Sequence, residues 1–244
     1  MVPIMNSSEL VVSLSDISFS WSENQDPTLR FSSLDIFQGE HVFIKGPSGS
    51  GKSTLLGLLT GILTPQQGKV SLLNTNVTHL KQSQRDQFRA DHIGYIFQQF
   101  NLLPYLSVAE NVELPCHFSV FRKGKSSTSL REQSTHLLNR LHLNEALLTK
   151  PVIELSIGQQ QRVAAARALI GQPELIIADE PTSALDVDNR TAFIKLLMEE
   201  AENAQSTLIF VSHDPSLEAL FDRSIDLNQL NQLPFMSHTE GETL

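Results

Sequence analysis

Gly46-Pro47-Ser48-Gly49-Ser50-Gly51-Lys52-Ser53 stands between the apolar run His41-Val42-Phe43-Ile44 and the leucine-rich run Thr54-Leu55-Leu56-Gly57-Leu58-Leu59. It fits G-x-x-x-x-G-K-[ST] at every fixed position, and its flanks spell strand, loop and helix, the context in which that motif has a mechanism. Glycine reaches backbone angles closed to residues with a Cβ, so successive N–H groups can turn inward and form a concave anion site. Lys52 adds a point charge for the outer phosphates of a nucleoside triphosphate, and the Ser53 hydroxyl can ligate Mg²⁺. The partial positive charge of the helix N-terminus acts on the same oxygens.

Upstream, residues 10–19 alternate apolar and polar side chains, as does a stretch through Leu29, Phe31, Leu34 and Ile36, so two antiparallel strands precede the loop. Downstream, the helix opened by Lys52 is expected to run to about Leu63, because proline at Pro65 cannot continue it. A strand at 68–73, a charged helical stretch at 81–90 and a strand at 93–97 follow, stopping at Gln98. Then the text changes. Phe100, Leu102, Leu103, Pro104, Tyr105 and Leu106 crowd together, helical spacing appears at 108–114 and 130–148, and serine-rich 123–129 reads as a loop. An amphipathic helix at 158–170 leads into Leu175-Ile176-Ile177-Ala178, an all-apolar run typical of a parallel strand buried on both faces. Helices at 189–202 and 216–221 alternate with strands at 207–211 and 225–227, which gives a parallel α/β core. The expected organisation is one domain over 1–244, with a core from 1–98 and 159–232 and an inserted helical subdomain at about 99–158.

The 244 residues are 40% hydrophobic, enough for a real core, and carry 27 acidic against 18 basic side chains. With a net charge of −9 and no block of like charges, nucleic acid is not an expected partner. The one cysteine, Cys116, forms no internal disulfide and reads as a small buried apolar group in a reducing compartment. The N-terminus lacks the pattern of a secretory signal, and no run approaches the ~18–20 apolar residues that cross a bilayer. Action at a membrane would need another chain to span it.

A phosphate loop alone does not separate a kinase from a GTPase or a motor. Leu175-Ile176-Ile177-Ala178-Asp179-Glu180 narrows the choice, since it is an apolar strand ending in two carboxylates. Asp179 is placed to hold the Mg²⁺ shell, through water, and Glu180 to orient or deprotonate an attacking water. With both sites in place the sequence resembles the ATP-binding subunits of ABC transporters over nearly its whole length. Beside the two Walker elements, Leu155-Ser156-Ile157-Gly158-Gln159-Gln160-Gln161-Arg162-Val163 is similar to the family signature. Gln98 sits where the Q-loop glutamine belongs, Ser183-Ala184-Leu185-Asp186 matches the D-loop, and His213 in Val211-Ser212-His213-Asp214 matches the switch histidine.

The resemblance implies an α/β, RecA-like P-loop NTPase fold with an N-terminal antiparallel β subdomain and an inserted α-helical subdomain, hydrolysing ATP with Mg²⁺. It implies that Trp21 stacks on adenine, that Gly46, Pro47, Ser48, Gly49, Ser50, Gly51, Lys52, Ser53 and Thr54 hold ATP, and that Ser53, Gln98 and Asp179 serve the metal. Glu180, His213 and Gln98 would carry hydrolysis. Ser156, Gly158 and Gln159 open a helix and so make a second phosphate site of the same kind as the first. In the family that site and Asp186 act in trans, in a head-to-tail dimer of two copies closed on two nucleotides. One departure stands out: Ile157, where the signature usually has glycine. A β-branched residue disfavours positive φ and holds backbone away from a ligand; with Ser156, Gly158 and Gln159 in place the trans contact is expected to survive, and Ile157→Gly to leave hydrolysis equal or faster.

The stretch 97–115 resembles the lipoprotein-releasing and macrolide-exporter branch, in which the helical subdomain receives a helix from a polytopic permease at the cytoplasmic side of the inner membrane. An exposed apolar cluster would suit such a groove. The division-associated branch, whose ATPase transmits force to a periplasmic enzyme, shares the same motifs and is the alternative.

Overall fold

The alternating N-terminal stretches form a sheet of their own. The computed structural model describes residues 9–22, 26–183 and 187–232, and within them β1 (Leu10–Phe19) pairs antiparallel with β2 (Leu29–Phe37), placing Leu14 opposite Leu34 and Ile17 opposite Phe31. The chain then leaves for β3 (His41–Lys45) and α1 (Lys52–Leu59) and returns as β4 (Gln67–Leu72) and β5 (Thr75–Asn76), giving the order β2-β1-β4-β5. Gly68 enters β4 at φ +95°, and a Cβ there would lie 2.4 Å from the Ser15 carbonyl oxygen, so the crossing with β1 needs glycine.

The helix α1 is shorter than proline at Pro65 alone dictates. It stops at Leu59 because Gly61 takes φ +66° and the Leu63 N–H turns back to the Gly57 carbonyl at 2.9 Å. The Leu63 side chain fills the space that a side chain at Gly57 would take.

After α2 (Gln82–His92) and β6 (Ile93–Ile96) come α3 (Val108–Phe118), α4 (Val120–Gly124), α5 (Leu130–Arg140) and α6 (Ile157–Leu169). The helical spacing at 130–148 is not one helix: His142 adopts φ +59° and the Leu143 N–H caps back onto the Leu138 carbonyl, burying Leu143. The loop 123–129 is tethered at its start by Lys125, whose ammonium reaches Glu174 and the Gln172 carbonyl, both at 2.7 Å. β7 (Leu175–Asp179), α7 (Val187–Asn203), β8 (Thr207–Ser212), β9 (Arg223–Asp226) and the single turn α8 (Leu227–Leu230) complete the described chain.

The second sheet is wholly parallel, in the order β6-β7-β8-β3-β9. Its central strands β7, β8 and β3 are buried on both faces, while the edge strand β9 is half-buried. Val42, Ile44, Ile177, Ile209 and Val211 pack with α1 and the antiparallel sheet, while Phe43, Ile176, Ala178, Leu208 and Phe210 pack with α3, α6 and α7. Cys116 is buried in the second of these cores, as expected, and burial pushes its thiol pKa up.

His41, at the entrance of β3, is only 6% exposed and its Nε2 finds no hydrogen-bond partner among the described residues. Burial pulls its pKa below the ordinary value of 6.5, against the opposing charges of Asp222 and Glu202. The unfolded chain therefore takes up this proton at a higher pH than the folded chain does. Stability falls as pH drops below that ordinary value. His41→Gln should flatten this acid limb, so that Tm falls less between pH 7 and pH 5 than in the parent; an identical slope would remove His41 from the account.

Candidate functional site

The parallel order places four loop ends side by side at the C-terminal edge of the second sheet. β3 delivers the phosphate loop, β6 leads to Gln98, β7 ends on Asp179 and Glu180, and β8 hands over to His213. Gly49 and Gly51 sit at φ +80° and +97°, and a Cβ on Gly51 would approach the Leu29 side chain to 2.8 Å. The N-terminus of α1 has no side-chain cap and no acid in its first turn, which leaves its amides to an external anion. The Lys52 ammonium spans the loop, donating to the carbonyls of Gly46 at 2.6 Å and Pro47 at 3.0 Å. Pro47, Ser48 and Gly49 are exposed, as is Ser53, whereas Gly46, Ser50 and Thr54 are buried.

Glu180 adopts φ +44°, fixed by its N–H donating to the Val211 carbonyl at 2.9 Å, which continues the β7–β8 pairing one step past Asp179. Its carboxylate lies 2.7 Å from His213 Nδ1 and 3.9 Å from Lys52 Nζ. Lys52 and His213, far apart in sequence, thus meet at the one carboxylate. Asp179 accepts from the Tyr95 hydroxyl at 3.4 Å; burial and the Glu180 charge push its pKa up, while Tyr95 and Lys52 work the other way.

Asp179 and Ser53 open onto a cavity of about 320 Å³ that also carries Trp21, Tyr95 and Phe97. Trp21 is 63% exposed and braced edge-on by Phe19 at 5.3 Å, so a broad aromatic face is offered to a ligand. A hydroxyl and one poorly compensated carboxylate suit Mg²⁺, which is held by few protein oxygens together with substrate phosphates and water. Among the described residues no cluster of three His, Cys, Asp or Glu side chains forms an all-protein metal cage. Gln98 lies exposed just beyond β6, at the same edge of the sheet.

Ser156 caps α6. Its Oγ accepts from the Gln159 N–H at 3.3 Å and the Gln159 side chain accepts from the Ser156 N–H at 3.0 Å, a reciprocal box. The cap engages Gln159 through its Oε1 and its backbone N–H, and so shapes the helix start. Ile157 is absent from the positive-φ residues, sits in the first turn of α6 and is 57% exposed. A Cβ on Gly158 would meet nothing. Asp186 lies outside the described residues.

Sequence reasoning missed two contributors. Arg167 on α6 donates to the carbonyls of Asn101 at 2.6 Å and Phe100 at 2.5 Å, two successive residues at φ +48° and +60°, and so ties the segment after Gln98 to the signature helix. A charge on the otherwise alanine-rich inner face of α6 was its only trace. Tyr95 is the other. The aromatic cluster after Gln99 also divides, with Phe100 in the core and Tyr105 77% exposed, while Phe97, Phe118, Val120 and Phe121 extend the exposed apolar surface. No helix among the described residues is long and apolar enough to cross a membrane.

Known proteins share this fold and much of this sequence. The sequence model of the ABC transporter family matches residues 29–183. The lipoprotein-releasing system ATP-binding protein LolD of Psychrobacter arcticus is 42% identical over 192 residues, 79% of this chain and 83% of that protein. The macrolide export ATP-binding/permease protein MacB of Marinobacter nauticus is 38% identical over 88% of this chain and 33% of its own length. The dimeric post-hydrolysis structure of the ATP-binding cassette MJ0796 of Methanocaldococcus jannaschii, bound to ADP and Pi, superposes with a TM-score of 0.77 at 36% identity, covering 88% of this chain and 93% of that one. With a family match across more than half its length and a shared fold at 36% identity, the chain belongs to the ABC transporter family, as its ATP-binding and ATP-hydrolysing component.

Proposed function

We propose that two copies of the chain close head to tail on two ATP molecules, and that this cycle drives a polytopic membrane permease from the cytoplasmic side of the membrane, with no role for nucleic acid. The observation that carries the reading is the convergence of Lys52 and His213 on the Glu180 carboxylate, beside the uncapped N-terminus of α1. Lys52 and the loop amides bind the β- and γ-phosphates, and Trp21 stacks on the base. Glu180 accepts a proton from water as the water oxygen bonds to the γ-phosphorus and the bond to the bridging oxygen breaks, giving ADP and phosphate. His213 holds that carboxylate in place. Ser53, Gln98 and, through water, Asp179 would hold Mg²⁺, which when bound neutralises charge on the phosphates.

The exposed start of α6 completes the site from the partner. Ser156 and Ile157 are both exposed there, which supports contact with a second copy. The relatives, one named for a lipoprotein-releasing system and one for macrolide export, support a permease as the driven element. The test is placed in a Glu180→Gln background, where an ATP-bound dimer is expected to accumulate. Adding Ser156→Glu sets a negative charge against the partner's γ-phosphate and should leave ATP binding to the single chain intact while abolishing the dimer; adding Ile157→Gly should preserve both. A Ser156→Glu chain that still dimerises on ATP rules out the trans contact. Co-purification from membranes should recover a polytopic subunit, and recovery with ribosomes or DNA instead would overturn the membrane assignment.

A further inference from the structure

Tyr95 reaches the metal carboxylate from a neighbouring strand. In the parallel pairing of β6 with β7, Tyr95 stands beside Ile177, and the residue two further along β7, on the same face, is Asp179. The phenol ring is braced against Phe97, with centroids 4.4 Å apart, and its hydroxyl is 3.4 Å from Asp179 Oδ2. Both side chains line the cavity that holds Ser53. A phenol keeps its proton at physiological pH, so the hydroxyl is the donor in this contact. Among the described residues it is the one side-chain hydrogen-bond donor that Asp179 has.

We infer that Tyr95 is a positioning residue for the metal shell: by engaging Oδ2 of Asp179 it fixes the carboxylate so that Oδ1 remains for a hydrated divalent cation. The inference rests on the proposed assignment of Asp179 to Mg²⁺. Groups that orient a metal-binding side chain typically contribute 10- to 100-fold to metal affinity, and the length of this hydrogen bond puts the expectation at the lower end, about tenfold.

The test uses Mn²⁺ as the probe cation. Its affinity for the full chain saturated with ATP is read by electron paramagnetic resonance, and ATP affinity without metal is read by calorimetry. Tyr95→Phe deletes only the hydroxyl and keeps the ring against Phe97, and metal-free ATP binding reports that the chain is folded. The variant should weaken Mn²⁺ about tenfold and leave metal-free ATP affinity within about twofold. In an Asp179→Asn background the same change should add nothing further, because the two side chains act as one unit. Unchanged Mn²⁺ affinity overturns the inference, as does an equal loss of metal-free ATP binding, which would make the hydroxyl a shaper of the cavity only. If Asp179→Asn itself leaves Mn²⁺ affinity unchanged, the metal assignment falls; if it weakens Mn²⁺ while Tyr95→Phe does not, only the role of Tyr95 falls.

Discussion

Glu180→Gln should reduce phosphate release by about 10²- to 10⁴-fold, the usual contribution of a positioned general base, while ATP binding is kept or tightened. The substitution is nearly isosteric. The backbone at φ +44° is held by the Val211 carbonyl whatever the side chain, and an amide can still bond to His213 across 2.7 Å. What disappears is the proton acceptor, together with a negative charge 3.9 Å from Lys52, where the phosphates are to bind. Hydrolysis and binding are therefore expected to separate. With hydrolysis stopped, ATP should hold two chains together, visible by light scattering as a dimer with ATP and a monomer with ADP. A variant retaining more than a tenth of the parent rate would move the base elsewhere, with His213 the next group in reach.

The carboxylate constellation shows which inferences the sequence supported and which it could not. Fixed spacing made the phosphate loop readable, because only glycine tolerates φ +80° and +97° at Gly49 and Gly51. Strand burial on both faces made the parallel sheet readable, since Leu175 to Ala178 has no polar face to offer water. The second half of the site was placed through resemblance. That Glu180 meets His213 depends on β7 and β8 being neighbours in register, which no local pattern encodes. Tyr95 and Asp179 meet for the same kind of reason. Helix ends failed where a left-handed residue, Gly61 or His142, turned the chain before the next proline or apolar position could. At Ile157 the sequence showed the departure but not its placement: Ser156 is the cap, so the β-branched residue falls in the first turn of α6, without positive φ and with its side chain exposed.

Lys52→Ala should weaken Mg²⁺-ATP binding itself, by about 10²-fold, where Glu180→Gln does not. A charge-assisted hydrogen bond contributes ~1.5–3 kcal/mol, which is about 10- to 100-fold in affinity. The upper end applies here because the ammonium serves two purposes. It neutralises phosphate charge, and it donates to the successive carbonyls of Gly46 and Pro47 at 2.6 and 3.0 Å, tying the start of the loop to the first residue of α1. Without it those carbonyls stay close to the incoming anion with no donor between, and the amide cradle loses its brace. The ammonium reaches the outer phosphates, so ATP should lose more than ADP. Calorimetric titration of both nucleotides separates the two roles: a loss confined to ATP measures the phosphate charge, and an equal loss for ADP measures the brace. Unchanged affinity for both would mean that residues 46–53 do not hold the triphosphate, and the assignment of this edge of the sheet as the nucleotide site would fall with them.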